Sequence, residues 1–163
     1  MLAWFGTGLV SLLTITAALW GCYEFQRRYE ATRIVKSIAG KDEMELWWLL
    51  TERTDFRSVT EWFGEPALII VVKSSGAGTE DAGFAPEAIR LLTSRGADIN
   101  EPGTAWKTAL MHAAAMGNQE LCALLLSYGA DASARDMFGM TAADWAQQNG
   151  HERTASLLRQ VEA

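Results

Sequence analysis

Few side chains in this 163-residue chain have the type and spacing that chemistry requires. The stretch KSSGAGTEDAG, residues 73–83, has the glycine density of a phosphate-cradling loop. Its lysine precedes the glycines, however, and the Gly-Lys-Ser/Thr ending is missing. It reads as a surface insertion, with a partner-contact loop as the alternative. The two histidines, His112 and His151, have no cysteine, aspartate or second histidine at a helical spacing that would complete a metal site. No nucleophile-elbow serine is present, and no pair of acids has a setting suited to proton transfer. Catalytic residues, metal ligands and cofactors are therefore expected to be none. What remains is the chemistry of contact, carried by large aromatic side chains.

Composition points the same way. Twenty acids against 14 Lys and Arg leave a net charge of −6, so the basic face of a nucleic-acid binder is missing. Two cysteines, Cys22 and Cys122, exclude a disulfide scaffold. A hydrophobic content of 49% excludes a disordered chain and allows a substantial core. The charges are unevenly placed: none precedes Glu24, residues 24–53 balance, and the whole surplus of acid lies beyond residue 53.

Residues 2–23, LAWFGTGLVSLLTITAALWGCY, carry no charge. As a helix at roughly 1.5 Å per residue they extend about 33 Å, enough for a bilayer core. Trp4 and Phe5 near one end and Trp20 and Tyr23 near the other suit the two interfaces. A cleaved signal peptide is disfavoured by the lack of basic residues before the apolar run. Leu19-Trp20-Gly21-Cys22 resembles a lipobox, with Cys22 as the lipidation point, but Trp20 is a poor fit. A retained single-span anchor fits best. Arg27, Arg28, Arg33 and Lys36 follow it closely, which puts the main domain in the cytoplasm. The lipoprotein alternative puts it outside.

Beyond the anchor, the chain repeats itself. Gly96-Ala97-Asp98 recurs as Gly129-Ala130-Asp131, 33 residues on; Thr108 recurs as Thr141, Ala113 as Ala146, Gly117 as Gly150 and Leu125 as Leu158. Within one unit, Thr108 opens a short helix of small residues reaching Met116, Gly117-Asn118 turns the chain, and 119–128 forms a second helix. Leu121, Leu124 and Leu125 give that helix a buried stripe at i, i+3, i+4. Gly129 closes it in the left-handed conformation. These units resemble the ankyrin repeat, whose pattern G-x-T-P-L-H-x-A-A-x-x-G-H, a Leu-Leu helix and G-A-D-x-N is matched by TALMHAAAMGN…ALLLSYGADAS, by GMTAADWAQQNGHERTASLL, and in part by IRLLTSRGADIN. Upstream, Pro66-Ala67-Leu68-Ile69-Ile70-Val71-Val72 resembles the first helix of a unit, separated from its second by the insertion. Glu43–Leu50 reads as the second helix of a unit before it, with residues 24–38 as its first.

The resemblance implies an all-α, ankyrin-type helical repeat solenoid of about four repeats, 24–60, 61–102, 103–136 and 137–163, after one N-terminal transmembrane helix at 1–23. At least three units are needed to bury a common core. The family's histidine position holds Ile69, Met111 and Asp144, so its bond to the preceding threonine is expected to be absent. Trp106 stands where Gly139 stands one unit later. The family's concave surface of fingers and inner helices places Trp62, Trp106, His112, Phe138 and Trp145 as protein-binding candidates, with His112 on an exposed helix position. Glu101 and Asp136 join Glu61 and Asp144 as a negative rim. Cys122 is expected to be an inert core thiol. The expected function is non-catalytic protein binding at a membrane, as an adaptor or regulator. A toxin-neutralising protein and an envelope lipoprotein with a protective role are the alternatives.

Overall fold

The computed structural model describes residues 33–38, 64–75 and 84–162. The apolar run at 2–23, with Cys22, lies outside them, as do Trp62 and residues 76–83 of the insertion. Among the described residues, no helix is long and apolar enough to cross a membrane.

Among the described residues from 64 onward, six α-helices form three pairs: α1 (Ala67–Ser74) with α2 (Phe84–Ser94), α3 (Ala109–Ala115) with α4 (Gln119–Ser127), and α5 (Ala142–Gln148) with α6 (Glu152–Glu162). The first helices stack as an inner row, α1 on α3 on α5, and the second helices as an outer row, α2 on α4 on α6. The inner row is dense because its contact positions are small. Ala109, Ala113, Ala114, Ala142, Ala143 and Ala146 are all buried. The β-branched run Ile69-Ile70-Val71-Val72 in α1 favours a strand by intrinsic propensity, yet it is helical. Leu68, Ile69, Val71 and Val72 are buried on several sides, and that packing decides the conformation. Residues 33–38 are also helical, with Ile34 and Ile38 in the same core.

Local chemistry sets the ends of these short helices. The Thr108 hydroxyl accepts the Met111 N–H at 3.4 Å, and the Asn118 side chain accepts the Leu121 N–H at 3.0 Å. At α5 the cap is reciprocal. The Thr141 N–H donates to Asp144 Oδ2 at 3.0 Å, and the Asp144 N–H donates to the Thr141 hydroxyl at 3.4 Å. The family's threonine bond is thus replaced in this unit by a carboxylate at the histidine position. Gly129, at φ +88°, supplies the left-handed closure of α4.

The outer row departs from the expected stripe at one position. Leu121 and Leu125 are buried, but the third buried residue of α4 is Cys122, while Leu124 is only partly covered. The packing neighbours lie toward α2 and α6 on both sides, so the buried arc is wider than one ridge. Burial pushes the Cys122 thiol up to about 12. Two side chains tie successive units together. Asn100 accepts the Asp131 N–H at 2.8 Å and donates to the Gly129 carbonyl at 3.2 Å. His151 packs so closely on Gly117 that a side chain there would collide with its imidazole.

Leu125→Ala is expected to cost roughly 2–5 kcal/mol in chemical denaturation, because it empties an enclosed site between rows. Leu124→Ala is expected to cost less than half as much. Equal effects would place the wrong leucine in the core.

Candidate functional site

The loops between one helix pair and the next form fingers, and the candidate residues gather there. Each described finger is a tight hairpin. The Gly103 N–H donates to the Lys107 carbonyl at 2.9 Å and the Trp106 N–H to the Gly103 carbonyl at 3.1 Å. The next finger repeats this: Asp136 N–H to Met140 carbonyl at 3.1 Å, Gly139 N–H to Asp136 carbonyl at 2.9 Å. The Met137 N–H donates to the Ala105 carbonyl at 3.1 Å and joins the two.

The tips of the fingers are apolar and open. Trp106 and Phe138 are each 68% exposed and Met137 57%. The backbone there is unusual. Gly64, Trp106 and Gly139 occupy the same place in successive fingers, with φ of +70°, +60° and +76°. Two of the three are glycine, as the left-handed region demands. Trp106 is not, and Ala105 beside it is also at φ +60°. Non-glycine residues held in this region cost on the order of 1–3 kcal/mol each.

The base of the later finger is polar and closed. Asp136 is 4% exposed. Its Oδ1 accepts the Phe138 and Met140 N–H groups, each at 2.9 Å, and its Oδ2 accepts the Trp145 indole N–H at 2.9 Å. Burial alone would raise this carboxyl. The Met140, Phe138 and Trp145 donors and the Lys107 charge outweigh it and hold the group below the ordinary aspartate value. The sequence reading placed Asp136 on an exposed rim. The structure instead turns the carboxylate inward, where it organises the finger. Trp145 is fixed from two directions, by Asp136 at its edge and by Lys107, whose Nζ lies 3.4 Å from the ring centroid. Glu101 is partly buried on the loop that leads into the Gly103 finger.

His112, 33 residues before Trp145, also differs from expectation. It is half-buried, and its Nε2 is enclosed without a hydrogen-bond partner. Gly103, which stands 33 residues before Asp136, brings no side chain to the base of its finger. Glu65 enters that space; a Cβ on Gly103 would meet Glu65 Oε2 at 2.5 Å. Burial, with the Lys73 charge and then Lys107 adding to it and Glu65 opposing, lowers His112 to about 4. Glu65 is held below the ordinary glutamate value. Burial pushes it up, but the Lys73 ammonium at 2.9 Å and the Thr104 hydroxyl, with Lys73 and His112 charges, prevail.

Among the described residues, no group of three or more His, Cys, Asp or Glu side chains is placed to hold a metal ion. The arrangement is one of contact: apolar, strained tips on a polar base. Composition alone would not have found Glu65, Gly103 or Lys107. Their signal lay in the 33-residue register, read one position at a time across units.

The family model for ankyrin repeats (three copies) matches residues 37–136 and 77–163. The chain belongs to the ankyrin repeat family. It is 35% identical over 72 residues to a potassium channel of Arabidopsis thaliana, covering 44% of this chain and 8% of that one. It is 46% identical over 54 residues to an espin-like protein of Homo sapiens, covering 33% and 5%. It is 33% identical over 72 residues to an ankyrin repeat protein of Acanthamoeba polyphaga mimivirus, covering 44% and 40%. The chain thus spans less than half the length of each of these relatives. As a chain of this family it is a protein-interaction module, of a kind that is typically non-catalytic.

The His112 environment has a measurable consequence. An unfolded histidine titrates near 6.5, the folded one at about 4. Between those values the unfolded chain binds more protons, so stability is complete above pH ~6.5 and falls as the pH is lowered toward ~4. Each pH unit in this window costs at most about 1.4 kcal/mol, reduced by solvent screening of the partly open ring. Denaturation midpoints between pH 7.5 and 5 are expected to fall in the native chain and to fall less in His112→Gln.

Proposed function

We propose that this chain is a membrane-tethered binding module that captures a protein partner with the tips of its fingers. The observation that carries the reading is Trp106: a large aromatic side chain, mostly exposed, on a left-handed backbone where the aligned residues are Gly64 and Gly139. Strain of this kind persists where something other than stability favours it. A tryptophan presents large apolar area with little rotamer freedom to lose, which is how interface anchors arise. Phe138 and Met137 extend the same surface, and Trp145, held by Asp136 and Lys107, forms its inner wall. Trp62 joins this set by sequence register alone. Glu101 is the acid best placed to act on association rate and its salt dependence. The tether rests on the uncharged run at 2–23 and the basic residues after it. The adaptor or regulator role follows from a binding surface held at a membrane.

Two tests bear on this reading. Trp106→Ala is expected to abolish crosslinking of the native partner from a photoreactive residue at Phe138 while leaving the helical circular dichroism unchanged. Trp106→Gly is expected to do the same and to raise stability by about 1 kcal/mol, since glycine relieves the left-handed strain. Loss of stability in Trp106→Gly with normal capture would make this tryptophan a packing residue. For the tether, a reporter active only in the cytoplasm, fused after Ala163, is expected to be active. Lipid labelling at Cys22 with loss of residues 1–21 would establish the lipoprotein reading instead.

A further inference from the structure

Among the described residues, one junction of the array carries a cation on an aromatic ring. Lys107 follows the left-handed Trp106 at the root of its finger, and its side chain runs into the next unit, where Nζ stands 3.4 Å from the centre of the Trp145 ring. The same two places in the other units do not repeat the pair. Glu65 and Met140 hold the position of Lys107 in the neighbouring fingers, and His112 holds that of Trp145 one unit earlier. Stacking of the units therefore has no general need of a cation at this point. The pair is particular to the junction that bears the open tips Trp106, Met137 and Phe138.

The ring is arranged to attract a positive charge. Its face carries the negative lobe of the aromatic quadrupole. Its N–H donates to Asp136 Oδ2 at 2.9 Å, and a carboxylate accepting at the edge pushes electron density into the ring, which deepens that lobe. Asp136 is itself fixed by the Phe138 and Met140 N–H groups, so the edge of the ring is anchored whatever lies on its face. Lys107 is held far less firmly. Among the described residues its ammonium makes no ion pair and no side-chain hydrogen bond, and its charge reaches Asp136 only through space. A partly exposed four-carbon stem leaves it able to swing into water.

We propose that the face of Trp145 is a site for a basic side chain, lysine or arginine, of the protein partner, and that Lys107 is its built-in occupant, displaced when the partner binds. Trp106 and Phe138 then take apolar residues beside that side chain, and the acid surplus beyond residue 53 favours such a partner at long range. Exchange of one cation for another costs little on the ring, and the released ammonium regains its water. The tethered lysine nevertheless has a high effective concentration, so a lone cation competes poorly. A segment that brings its cation together with apolar contacts for the tips competes well. That the partner is a protein rests on the fingertip surface proposed above; the cation site on Trp145 stands without it.

The test removes the occupant. N-acetyl-arginine amide is titrated into the full-length protein at constant ionic strength, with the Trp145 indole N–H resonance as the readout and N-acetyl-citrulline amide as the neutral control. The arginine probe is expected to shift that resonance in Lys107→Met at a concentration about two- to fivefold lower than in the native chain, the factor that a cation on a partly open ring is worth. The citrulline probe is expected to shift it in neither. Lys107→Arg, which keeps an occupant, is expected to show no gain. Arg135→Gln removes a charge from the next finger but leaves the ring covered, and is expected to stay within about 1.5-fold of the native chain, because an exposed charge is largely screened. Equal midpoints in Lys107→Met and the native chain, an equal gain in Arg135→Gln, or an equal response to citrulline would each overturn the cation site. Should Lys107→Met lose its helical circular dichroism, Lys107→Gln decides in its place. Crosslinking of the native partner from Phe138 is expected to rise in Lys107→Met, and no rise would overturn the assignment of a basic side chain to the partner. Trp106→Ala leaving partner capture untouched would overturn the fingertip reading without altering the probe titrations.

Discussion

A pair of helices of seven to eleven residues cannot enclose its own apolar side chains. Every described element obeys that constraint. Alanines at the contact positions let inner helix approach inner helix. The outer helices place Ile89, Leu92, Leu125 and Leu158 in the space between rows. Polar side chains then work only at the junctions, where backbone groups would otherwise go unmatched: Thr108, Asn118 and Thr141 at helix starts, Asn100 between loops. The apolar stacking supplies the driving force and the polar contacts define the register.

The fingers follow from the same stacking. They project because the inner helices beneath them are close-packed, and the finger at 136–140 is further ordered by the Asp136 carboxylate, which gathers its hairpin at the base. At the finger before it, Glu65 of the preceding unit lies against Gly103 and pairs with Lys73 at 2.9 Å, while Asp136 bonds its own finger from within. Both are kept ionised below the usual range despite burial, because the donors around them exceed the cost of desolvation. What the base holds still, the tip leaves open: Trp106, Met137 and Phe138 bury little in the described fold.

The fold was legible in the sequence because its signals are local and repeated. Gly129, Thr108 and Leu125 stood out at one spacing, and each does locally what its residue type does best. Trp106 opposite Gly139 was legible as a departure; only the backbone angle gave it a physical meaning. The side-chain network was much less visible. Asp136 read as a surface acid because aspartate usually is one, and nothing in one dimension shows an inward-facing carboxylate. His112 read as exposed because the family position is open, whereas here it is half-buried, with its Nε2 enclosed. Leu124, expected in the buried stripe, is only partly covered, while Cys122 is buried as expected, because a helix contacted from both sides buries an arc broader than a simple stripe. The membrane run, Cys22 and Trp62 lie outside the described residues.

Cys122 gives the molecule an internal clock. Its sulfur is sealed between rows, and a thiol so far from ionisation at neutral pH is inert while it stays there. A thiol reagent can reach it only when the outer helices part. Its labelling rate therefore equals the opening equilibrium multiplied by the chemical rate of a free cysteine, so long as closing outpaces reaction. A ligand clasped by the fingers on the opposite side would slow that rate in proportion to its affinity for the closed array. Occupancy of one flank of the repeat stack is thus readable, in time, from a sulfur atom on the other.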